Sequence, residues 1–196
     1  MKHPELFQHQ IEGIEFLKKT KKALLADEMG MGKTRQAIVA ARTSSQKTLV
    51  VCPASLKINW QREILMVIPE ASVYIADGEP YYPAETEWYI VNYDTLEKHW
   101  ESILGFGFET IILDEAHYIK NTSSKRTKLA TKLCGMAEQV YMLTGTPLLN
   151  RPLELFSLLR ALQHPLGINW MTYIRRYCAA WQRRNPYTGR SFWDAS

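Results

Sequence analysis

The sequence predicts an α/β protein with a doubly wound, mostly parallel sheet and a short helical segment appended at the C-terminus. Apolar runs of strand length alternate with helical patterns as far as about residue 150. Several runs are continuous stretches of Val, Ile and Leu, as expected for strands covered on both faces. From about Arg151 the alternation stops and the pattern becomes helical. We therefore expect one domain over residues 1–150 and a helical appendage over residues 151–196.

Six runs of strand length form the predicted sheet. They are Ala23–Ala26, Thr48–Cys52, Ser72–Ala76, Trp88–Asn92, Thr110–Leu113 and Val140–Leu143. Strands that alternate with helices are joined by right-handed crossovers, which make the sheet parallel. Ligands of such sheets bind beyond the carboxyl ends of the strands, so the residues that follow each strand are the first candidates for a site.

Seven helical patterns lie between or after these strands. They are His9–Lys19, Lys33–Thr43, Leu56–Val67, Thr95–Leu104, Ser124–Met136, Pro152–Leu162 and Trp170–Trp181. Asn150 and Arg151 precede Pro152, which is typical of a helix start with a capping asparagine and a proline in the first turn.

The composition is that of an ordinary globular protein. Of the 196 residues 46% are hydrophobic and 22% charged, and no apolar run approaches the ~20 residues of a membrane span. The start, Met1-Lys2-His3-Pro4-Glu5, lacks the apolar stretch of a signal peptide, so we expect an intracellular protein without a membrane partner. Cys52, Cys134 and Cys178 show no CxxC spacing and predict buried, reduced thiols. The net charge of +4 permits a nucleic-acid partner without requiring one.

The most informative segment is Asp27-Glu28-Met29-Gly30-Met31-Gly32-Lys33-Thr34, between a predicted strand and a predicted helix. Such a junction binds nucleotide phosphates, because backbone N–H groups of the loop and the helix start point at the anion. Lys33 would reach the β and γ phosphates, and the Thr34 hydroxyl would hold Mg²⁺. The strict phosphate-loop pattern has a glycine where this chain has Asp27. The loop alone therefore does not decide between a phosphate site and an ordinary turn.

A second motif, Asp114-Glu115-Ala116-His117, follows the predicted strand Thr110–Leu113. Asp114 would hold Mg²⁺ through water, and Glu115 would orient and polarise the water that attacks the γ phosphate. An isolated acidic pair is usually a solvated turn at a strand end. In combination with Gly32-Lys33-Thr34 it predicts hydrolysis of a nucleoside triphosphate.

Two further segments carry weaker signals. Thr144-Gly145-Thr146-Pro147 follows the last predicted strand, and its hydroxyls suit hydrogen bonds to the acidic motif, although a plain turn has the same composition. Gln10 carries an amide that suits the edge of adenine, whereas its spacing alone favours an exposed glutamine on an amphipathic helix. Parallel strand ends are expected to bring the loop, the acidic motif and the turn to one edge of the sheet.

Two basic segments leave alternatives open. The first carries Lys120, Lys125, Arg126, Lys128 and Lys132 without an acid, and the second interleaves Arg175, Arg176, Arg183, Arg184 and Arg190 with Trp170, Tyr173, Tyr177, Trp181 and Tyr187. On a helix Lys125, Lys128 and Lys132 share a face, which suits a phosphate backbone or simply a solvated surface. The aromatic tail fits a nucleic-acid surface or a packing face equally well.

Taken in order, the motifs resemble the first RecA-like lobe of the Swi/Snf-type ATPases of helicase superfamily 2. The matching segments are Gln10, Asp27–Thr34, Val51–Leu56, Asn92–Leu96, Asp114–Asn121 and Leu143–Asn150. In this family the phosphate loop begins Asp-Glu, which accounts for Asp27 in place of glycine. Arg176-Tyr177-Cys178 and Phe192–Ser196 further resemble the fork-remodelling, annealing-helicase branch of the family.

The resemblance implies a motor that hydrolyses ATP with Mg²⁺ and moves on double-stranded or forked DNA. The implied catalytic residues are Lys33, Asp114 and Glu115, and the implied Mg²⁺ ligands are Thr34 and Asp114. The implied ATP-binding residues are Gln10, Met29, Gly30, Met31, Gly32, Lys33, Thr34 and Arg35. Coupling of hydrolysis to DNA is implied for His117, Thr144, Gly145 and Thr146. Contacts to the DNA backbone, which position a protein without reading sequence, are implied for Pro53, Ala54, Ser55, Asn92, Tyr93 and Thr95.

The resemblance also implies a second RecA-like lobe as a partner. That lobe carries the arginine fingers of the family, and no segment of the 196 residues resembles it. We therefore expect a fragment that binds ATP weakly and hydrolyses it slowly, since an arginine finger is worth about 10³–10⁵ in rate. The expected location is the nucleus, or the cytoplasm or nucleoid of a prokaryotic or viral system. Two alternatives stay open: a nucleotide-gated nucleic-acid or protein docking module with little hydrolysis, and an RNA helicase, which the phosphate loop disfavours.

Overall fold

The computed structural model describes residues 6–81, 84–145, 152–184 and 191–194. The helices are α1 (Gln8–Thr20), α2 (Lys33–Arg42), α3 (Lys57–Val67), α4 (Trp100–Phe106), α5 (Lys125–Met136), α6 (Pro152–Ala161) and α7 (Trp170–Tyr177). The strands are β1 (Lys22–Leu25), β2 (Thr48–Cys52), β3 (Val73–Ile75), β4 (Trp88–Asn92), β5 (Thr110–Leu113), β6 (Gln139–Leu143), β7 (Trp181–Arg184) and β8 (Ser191–Asp194). None of the described helices is long and apolar enough to cross a membrane.

The first six strands form one sheet in the order β1-β6-β5-β2-β4-β3, and each neighbouring pair is parallel. The predicted doubly wound parallel sheet is confirmed. The bounds of β2, β4 and β5 are those predicted. The observed β1 and β3 differ from the prediction by one residue at each end, and β6 begins one residue earlier. Because consecutive strands are often not neighbours, helices cross over both faces of the sheet.

Both faces of the sheet are covered, and alternate residues of each strand serve the two cores. In β2, Leu49 and Val51 face a core shared with α4, α5 and α6, whereas Val50 and Cys52 face a core shared with α1, α2 and α3. All four side chains are fully buried. A strand buried on both sides has no polar face, which is why the sequence shows continuous apolar runs there.

The C-terminal segment is helical over α6 and α7, which pack through Phe156, Tyr173 and Ile174. The hydroxyl of Tyr173 donates a hydrogen bond to the carbonyl oxygen of Pro152 (2.6 Å) and ties the two helices together. The predicted helix Trp170–Trp181 is wrong at its end, since α7 stops at Tyr177 and Trp181 begins β7, which is antiparallel to β8. The reason is local, because the positive φ of Ala179 (45°) turns the chain out of the helix.

The helix predicted over Thr95–Leu104 also begins in the wrong place. The chain first makes a 3₁₀ turn over Tyr93–Thr95, and α4 begins only at Trp100. It ends where Gly107 adopts the left-handed conformation (φ 67°), the usual way for a glycine to terminate a helix. The shift leaves Asn92 and the turn after β4 at the carboxyl edge of the sheet.

Candidate functional site

The carboxyl ends of β1, β6 and β5 lie side by side. The register pairs Leu25 of β1 with Leu143 of β6, and Leu113 of β5 with Met142 of β6. The phosphate loop, the turn after β6 and the acidic motif therefore start from three adjacent strands, as the sequence predicted. The turns after β2 and β4 continue the same edge on the far side of β5.

The phosphate loop leads directly into α2. Gly30 (φ 85°) and Gly32 (φ 70°) both adopt left-handed backbone, which glycine reaches without strain, and Gly32 is the residue that precedes the first turn of α2. The ammonium of Lys33 donates hydrogen bonds to the carbonyl oxygens of Asp27 (2.7 Å) and Glu28 (2.8 Å). The lysine charge is thus held at the loop by two backbone dipoles, and a phosphate that drew it away would have to replace both bonds.

Gln10 packs directly against the loop. It is 6% exposed, and a Cβ atom on Gly32 would lie 2.2 Å from its Nε2, so a larger residue at position 32 would displace the amide of Gln10. Its Oε1 accepts a hydrogen bond from the backbone N–H of Phe7 (3.1 Å). The expectation of an exposed glutamine is therefore wrong, and the amide lies beside the predicted phosphate loop.

Two residues that the sequence analysis did not single out hold the same loop. The carbonyl oxygen of Met31 accepts a hydrogen bond from Nε2 of Gln36 (3.0 Å) and lies 3.2 Å from Nε2 of His9. Gln36 is fully buried, and Gly13 of α1 makes room for its side chain. The available signal was a polar residue on the buried face of α2, one helical turn after the phosphate loop.

The acidic motif follows β5 and is held in place by α3. The indole N–H of Trp60 donates a hydrogen bond to Oδ2 of Asp114 (2.7 Å), and the backbone N–H of Glu115 donates to Oδ1 (3.0 Å). The backbone of the motif is also held, because the hydroxyl of Tyr93 donates a hydrogen bond to the carbonyl oxygen of Asp114 (2.7 Å). Glu115 itself adopts left-handed backbone (φ 48°), which is rare for a residue with a Cβ and common at functional sites.

The side chain of Glu115 points toward His117, whose Nδ1 lies 3.1 Å from Oε2. The two atoms are close enough for an ion pair, but their alignment does not make a hydrogen bond, and Nδ1 has no other partner among the described residues. His117 also lies against the ring of Tyr118 (centroids 5.1 Å apart), which limits its movement.

Burial raises the pKa of the Asp114 carboxyl above its ordinary value. The hydrogen bond from Trp60 opposes this rise, and the neighbouring charge of Glu115 adds to it. A carboxylate that is partly desolvated beside a second acid is a group that a cation stabilises strongly.

A cleft of about 400 Å³ joins the loop to the acidic motif. Its lining includes most of the predicted ATP-binding and catalytic residues: Gln10, Met29, Gly30, Gly32, Lys33, Thr34, Arg35, Asp114 and Glu115. Met31 is absent from that lining and contributes its backbone carbonyl to the contacts with α1 and α2. Leu56, Asn59 and Glu63 complete the cleft from the side of α3. Leu56 ends the matching segment Val51–Leu56 but was given no role in the ATP site, and Asn59 and Glu63 lie beyond any motif.

The donor set of this cleft fits Mg²⁺. Each oxygen of Asp114 accepts one hydrogen bond and keeps a free lone pair, and the hydroxyl of Thr34 lines the same cleft. One carboxylate and one hydroxyl suit an ion that retains several waters and takes its other ligands from phosphate oxygens. The pKa of Asp114 is raised mainly by burial, although the charge of Lys33 partly opposes the rise, so a bound cation would stabilise the carboxylate further.

The turn after β6 lies against the phosphate loop. A Cβ atom on Gly145 would lie 2.7 Å from Cγ of Met29 and 3.8 Å from Nζ of Lys33, so the backbone of the turn approaches the loop closely. Thr144 is 1% exposed, and its N–H donates to the carbonyl oxygen of Leu25 (3.2 Å). Thr146, which was predicted to act with them, lies outside the described residues.

The predicted DNA contacts divide into two groups. Ala54 and Ser55 are exposed at the 3₁₀ turn after β2, with Pro53 half-buried before them. By contrast, Asn92 is 7% exposed and its Oδ1 accepts a hydrogen bond from the hydroxyl of Thr95 (2.7 Å).

Tyr93 is the member of this set whose side chain lies in the core. Its side chain is 2% exposed and its ring stacks on that of Tyr118. Its hydroxyl donates a hydrogen bond to the carbonyl oxygen of Asp114 at the end of β5. A side chain buried and hydrogen-bonded in this way supports the acidic motif and does not reach a ligand outside the protein.

Comparison with known proteins gives matches over nearly the whole chain. The SNF2-related domain family matches residues 9–180. The SWI/SNF-related matrix-associated actin-dependent regulator of chromatin subfamily A-like protein 1 homolog of Caenorhabditis elegans is 36% identical over 187 residues, which are 91% of this chain and 27% of that protein. The DNA annealing helicase and endonuclease ZRANB3 of Bos taurus is 34% identical over 203 residues, which are 97% of this chain and 19% of that protein.

Among solved structures, the Sulfolobus solfataricus SWI2/SNF2 ATPase core in complex with dsDNA superposes with a TM-score of 0.81 at 25% identity, over 90% of this chain and 40% of that one. The chain spans about a quarter of the length of the Caenorhabditis elegans relative and about a fifth of the Bos taurus relative. The resemblance drawn from the motifs is confirmed by these matches. The chain belongs to the SNF2-related family and forms a RecA-like ATPase lobe of the SNF2 helicase superfamily.

Proposed function

We propose that the chain is the ATP-binding lobe of a motor that couples ATP hydrolysis to movement on double-stranded DNA. One observation carries the proposal: Lys33 and Thr34 after β1 line the same cleft as Asp114 and Glu115 after β5. A phosphate-binding loop opposite an acidic pair is the arrangement that phosphoryl transfer to water requires, since that chemistry depends on positioning and charge stabilisation.

In this proposal ATP lies across the cleft with its phosphates at the start of α2. Gln10 contacts adenine, and the loop from Met29 to Arg35 surrounds the phosphates through backbone N–H groups. Thr34 and Asp114 hold Mg²⁺, which supplies charge neutralisation on the phosphate oxygens when it is bound. Lys33 moves from the loop carbonyls to the β and γ phosphates, and Glu115 orients the attacking water.

DNA is proposed to bind along the carboxyl edge of the sheet, beyond the ends of β2 and β4. The exposed residues Ala54 and Ser55, with Pro53 and Thr95 beside them, offer a surface for one strand's backbone, and Asn92 holds that turn in shape. The Sulfolobus solfataricus SWI2/SNF2 ATPase core forms a complex with dsDNA, and ZRANB3 of Bos taurus is a DNA annealing helicase. These relatives support duplex DNA and, for the fork-remodelling branch, forked DNA as partners.

ATP turnover measured without DNA and with single-stranded, duplex, forked and RNA cofactors tests the proposal. The protein is the full-length gene product from which the chain comes, and Glu115→Gln is the inactive variant. Glu138→Gln makes the same chemical change at an exposed residue between α5 and β6, at the opposite edge, and should retain full turnover.

We expect turnover that duplex or forked DNA stimulates and that Glu115→Gln abolishes while ATP still binds. Stimulation by RNA alone would favour an RNA helicase. Turnover indifferent to every nucleic acid would overturn the motor and favour a nucleotide-gated docking module.

The separated chain is proposed to turn over ATP far more slowly than the full-length protein. The arginine fingers of the family belong to its second RecA-like lobe, and such residues are worth about 10³–10⁵ in rate. Equal turnover numbers for the chain and the full-length protein would contradict this part of the proposal. The proposed location follows the relatives: the nucleus in a eukaryote, or the cytoplasm or nucleoid otherwise.

A further inference from the structure

A further cavity lies between α5 and α6, and it shares no lining residue with the cleft of the ATP site. Its volume is about 390 Å³, enough for many water molecules or for a phosphate group with its neighbours. The described residues that line it are Thr122, Thr127, Lys128, Thr131, Lys132, Ser157 and Arg160. These side chains are three cations and four hydroxyls, and the set contains no acid.

The three cations have no anionic partner among the described residues, which distinguishes them from their neighbours on α5. Lys125 pairs with Glu97, and Arg126 pairs with Asp94 (3.3 Å). Lys132 instead lies 4.8 Å from the ring centroid of Trp100, a contact that fixes the ammonium without neutralising it.

Helix polarity makes Lys128 an unfavourable place for a cation unless an anion is present. It is the fourth residue of α5, and the positive end of a helix dipole destabilises positive charge within the first turn. Arg160 lies in the last turn of α6, where the dipole alone can account for a cation. The dipole therefore explains Arg160 but not Lys128.

The hydroxyls of the cavity are suited to an oxyanion. Thr131 makes no hydrogen bond with another described residue through its hydroxyl, so it is free to donate. The hydroxyl of Thr127 lies 2.8 Å from Oγ of Ser124, and either oxygen can be the donor. Ser157 already donates to the carbonyl oxygen of Glu154 (3.2 Å), so it contributes to the shape of the cavity and not to recognition.

We propose that this cavity binds a phosphate group of a nucleic-acid backbone, as a second DNA contact separate from the turns after β2 and β4. The inference rests on the proposed function, because DNA is the phosphate-bearing partner that function requires. A contact of these cations to a backbone phosphate positions the duplex without reading its sequence, so we expect this binding to depend strongly on salt and not on sequence.

Fluorescence anisotropy with a labelled duplex over a series of salt concentrations tests the proposal on the chain itself. The variant is Lys128→Gln, Lys132→Gln and Arg160→Gln combined. The control, Lys18→Gln, Lys19→Gln and Arg42→Gln combined, removes the same net charge from α1 and α2, on the other face of the sheet. If the cavity binds one or two phosphates, the slope of log K against log salt should become less steep by about 1–2 in the cavity variant. The same loss of phosphate contacts should weaken duplex affinity about 8- to 60-fold at 0.1 M salt.

Three outcomes separate the possibilities. A duplex affinity that falls in the cavity variant and much less in the control supports the proposal. Equal losses in both variants would show a general charge effect and overturn it. An unmodified chain that binds no DNA would overturn the proposed DNA contact at the outset, together with this inference.

A second measurement distinguishes a backbone phosphate from a small free anion. Pyrophosphate is titrated while the backbone amide signals of Thr131 and Lys128 are followed by NMR, which separates this cavity from the ATP cleft. Shifts at these amides that disappear in the cavity variant, with unchanged DNA affinity, would identify a small-anion site and overturn the nucleic-acid assignment. Shifts accompanied by a loss of DNA affinity support it.

Discussion

The substitution Trp60→Phe separates the support of Asp114 from the packing of the core. Trp60 is 1% exposed, and its indole N–H donates to Oδ2 of Asp114 at 2.7 Å. Phenylalanine retains an aromatic ring in the core but has no donor. The carboxylate would then keep only the N–H of Glu115, and its pKa, already raised by burial, would rise further.

The expected magnitude has two parts. A hydrogen bond to a charged group contributes about 1.5–3 kcal/mol, and the smaller ring leaves a cavity that costs about 1–2 kcal/mol more. Trp60→Phe should therefore lower the free energy of unfolding by about 2.5–5 kcal/mol. Only the first part depends on Asp114, so the two parts can be measured apart.

A double-mutant cycle with Asp114→Ala isolates the hydrogen bond. Unfolding in urea at pH 7 is measured for the unmodified chain, Trp60→Phe, Asp114→Ala and the double variant. We expect a coupling energy of about 1.5–3 kcal/mol, and weaker Mg–ATP binding in Trp60→Phe because the carboxylate is no longer held in one orientation. A coupling energy within about 0.5 kcal/mol of zero would refute the view that Trp60 acts through Asp114.

Three further predictions concern the same edge and the core beneath it. Gly32→Ala should lower the free energy of unfolding by more than Gly78→Ala. Both glycines have a φ of 70°, but only at position 32 would the new Cβ atom contact Gln10. Urea unfolding compares the stabilities of the two variants, and titration with ATP compares their affinities. Tyr93→Phe should cost about 1–2 kcal/mol in urea unfolding, because it leaves a buried strand-end carbonyl without its donor. Burial raises the pKa of Cys52 to about 12, so very little of this residue is thiolate at pH 8 in the folded protein. Labelling of Cys52 by a thiol reagent should therefore require unfolding. Fast labelling of this thiol in native buffer would contradict the prediction.

The sheet could be predicted from the sequence because its strands are buried on both faces. Such strands form continuous apolar runs whose ends are sharp, and motifs that follow strand ends must meet at one edge. Thr48–Cys52 and Trp88–Asn92 were therefore predicted to the residue. The phosphate loop and Asp114 came together for the same reason.

The contacts that support the site could not be predicted, because they depend on how helices rotate against the sheet. Trp60 and Asp114 are 54 residues apart, and in the sequence Trp60 is simply an apolar residue on the buried stripe of a helix. Gln10 resembled an exposed polar residue for a similar reason. The β7–β8 hairpin was missed because the aromatic residues before and within β7 have the spacing of a helical face. The helix ends where Ala179 adopts a positive φ, and the residue types do not predict that backbone conformation.

The position of β6 suggests how nucleotide binding is transmitted along the edge. β6 lies between β1 and β5, so the turn that follows it is in contact with the loop on one side and adjacent to the acidic motif on the other. Lys33 begins with two bonds to loop carbonyls, and its ammonium lies near the backbone of Gly145. A phosphate that draws Lys33 out of the loop would remove the ammonium from its place beside Gly145 and alter the contact of Met29 with that glycine. We therefore expect the turn after β6 to respond to the γ phosphate before any residue at the DNA surface does.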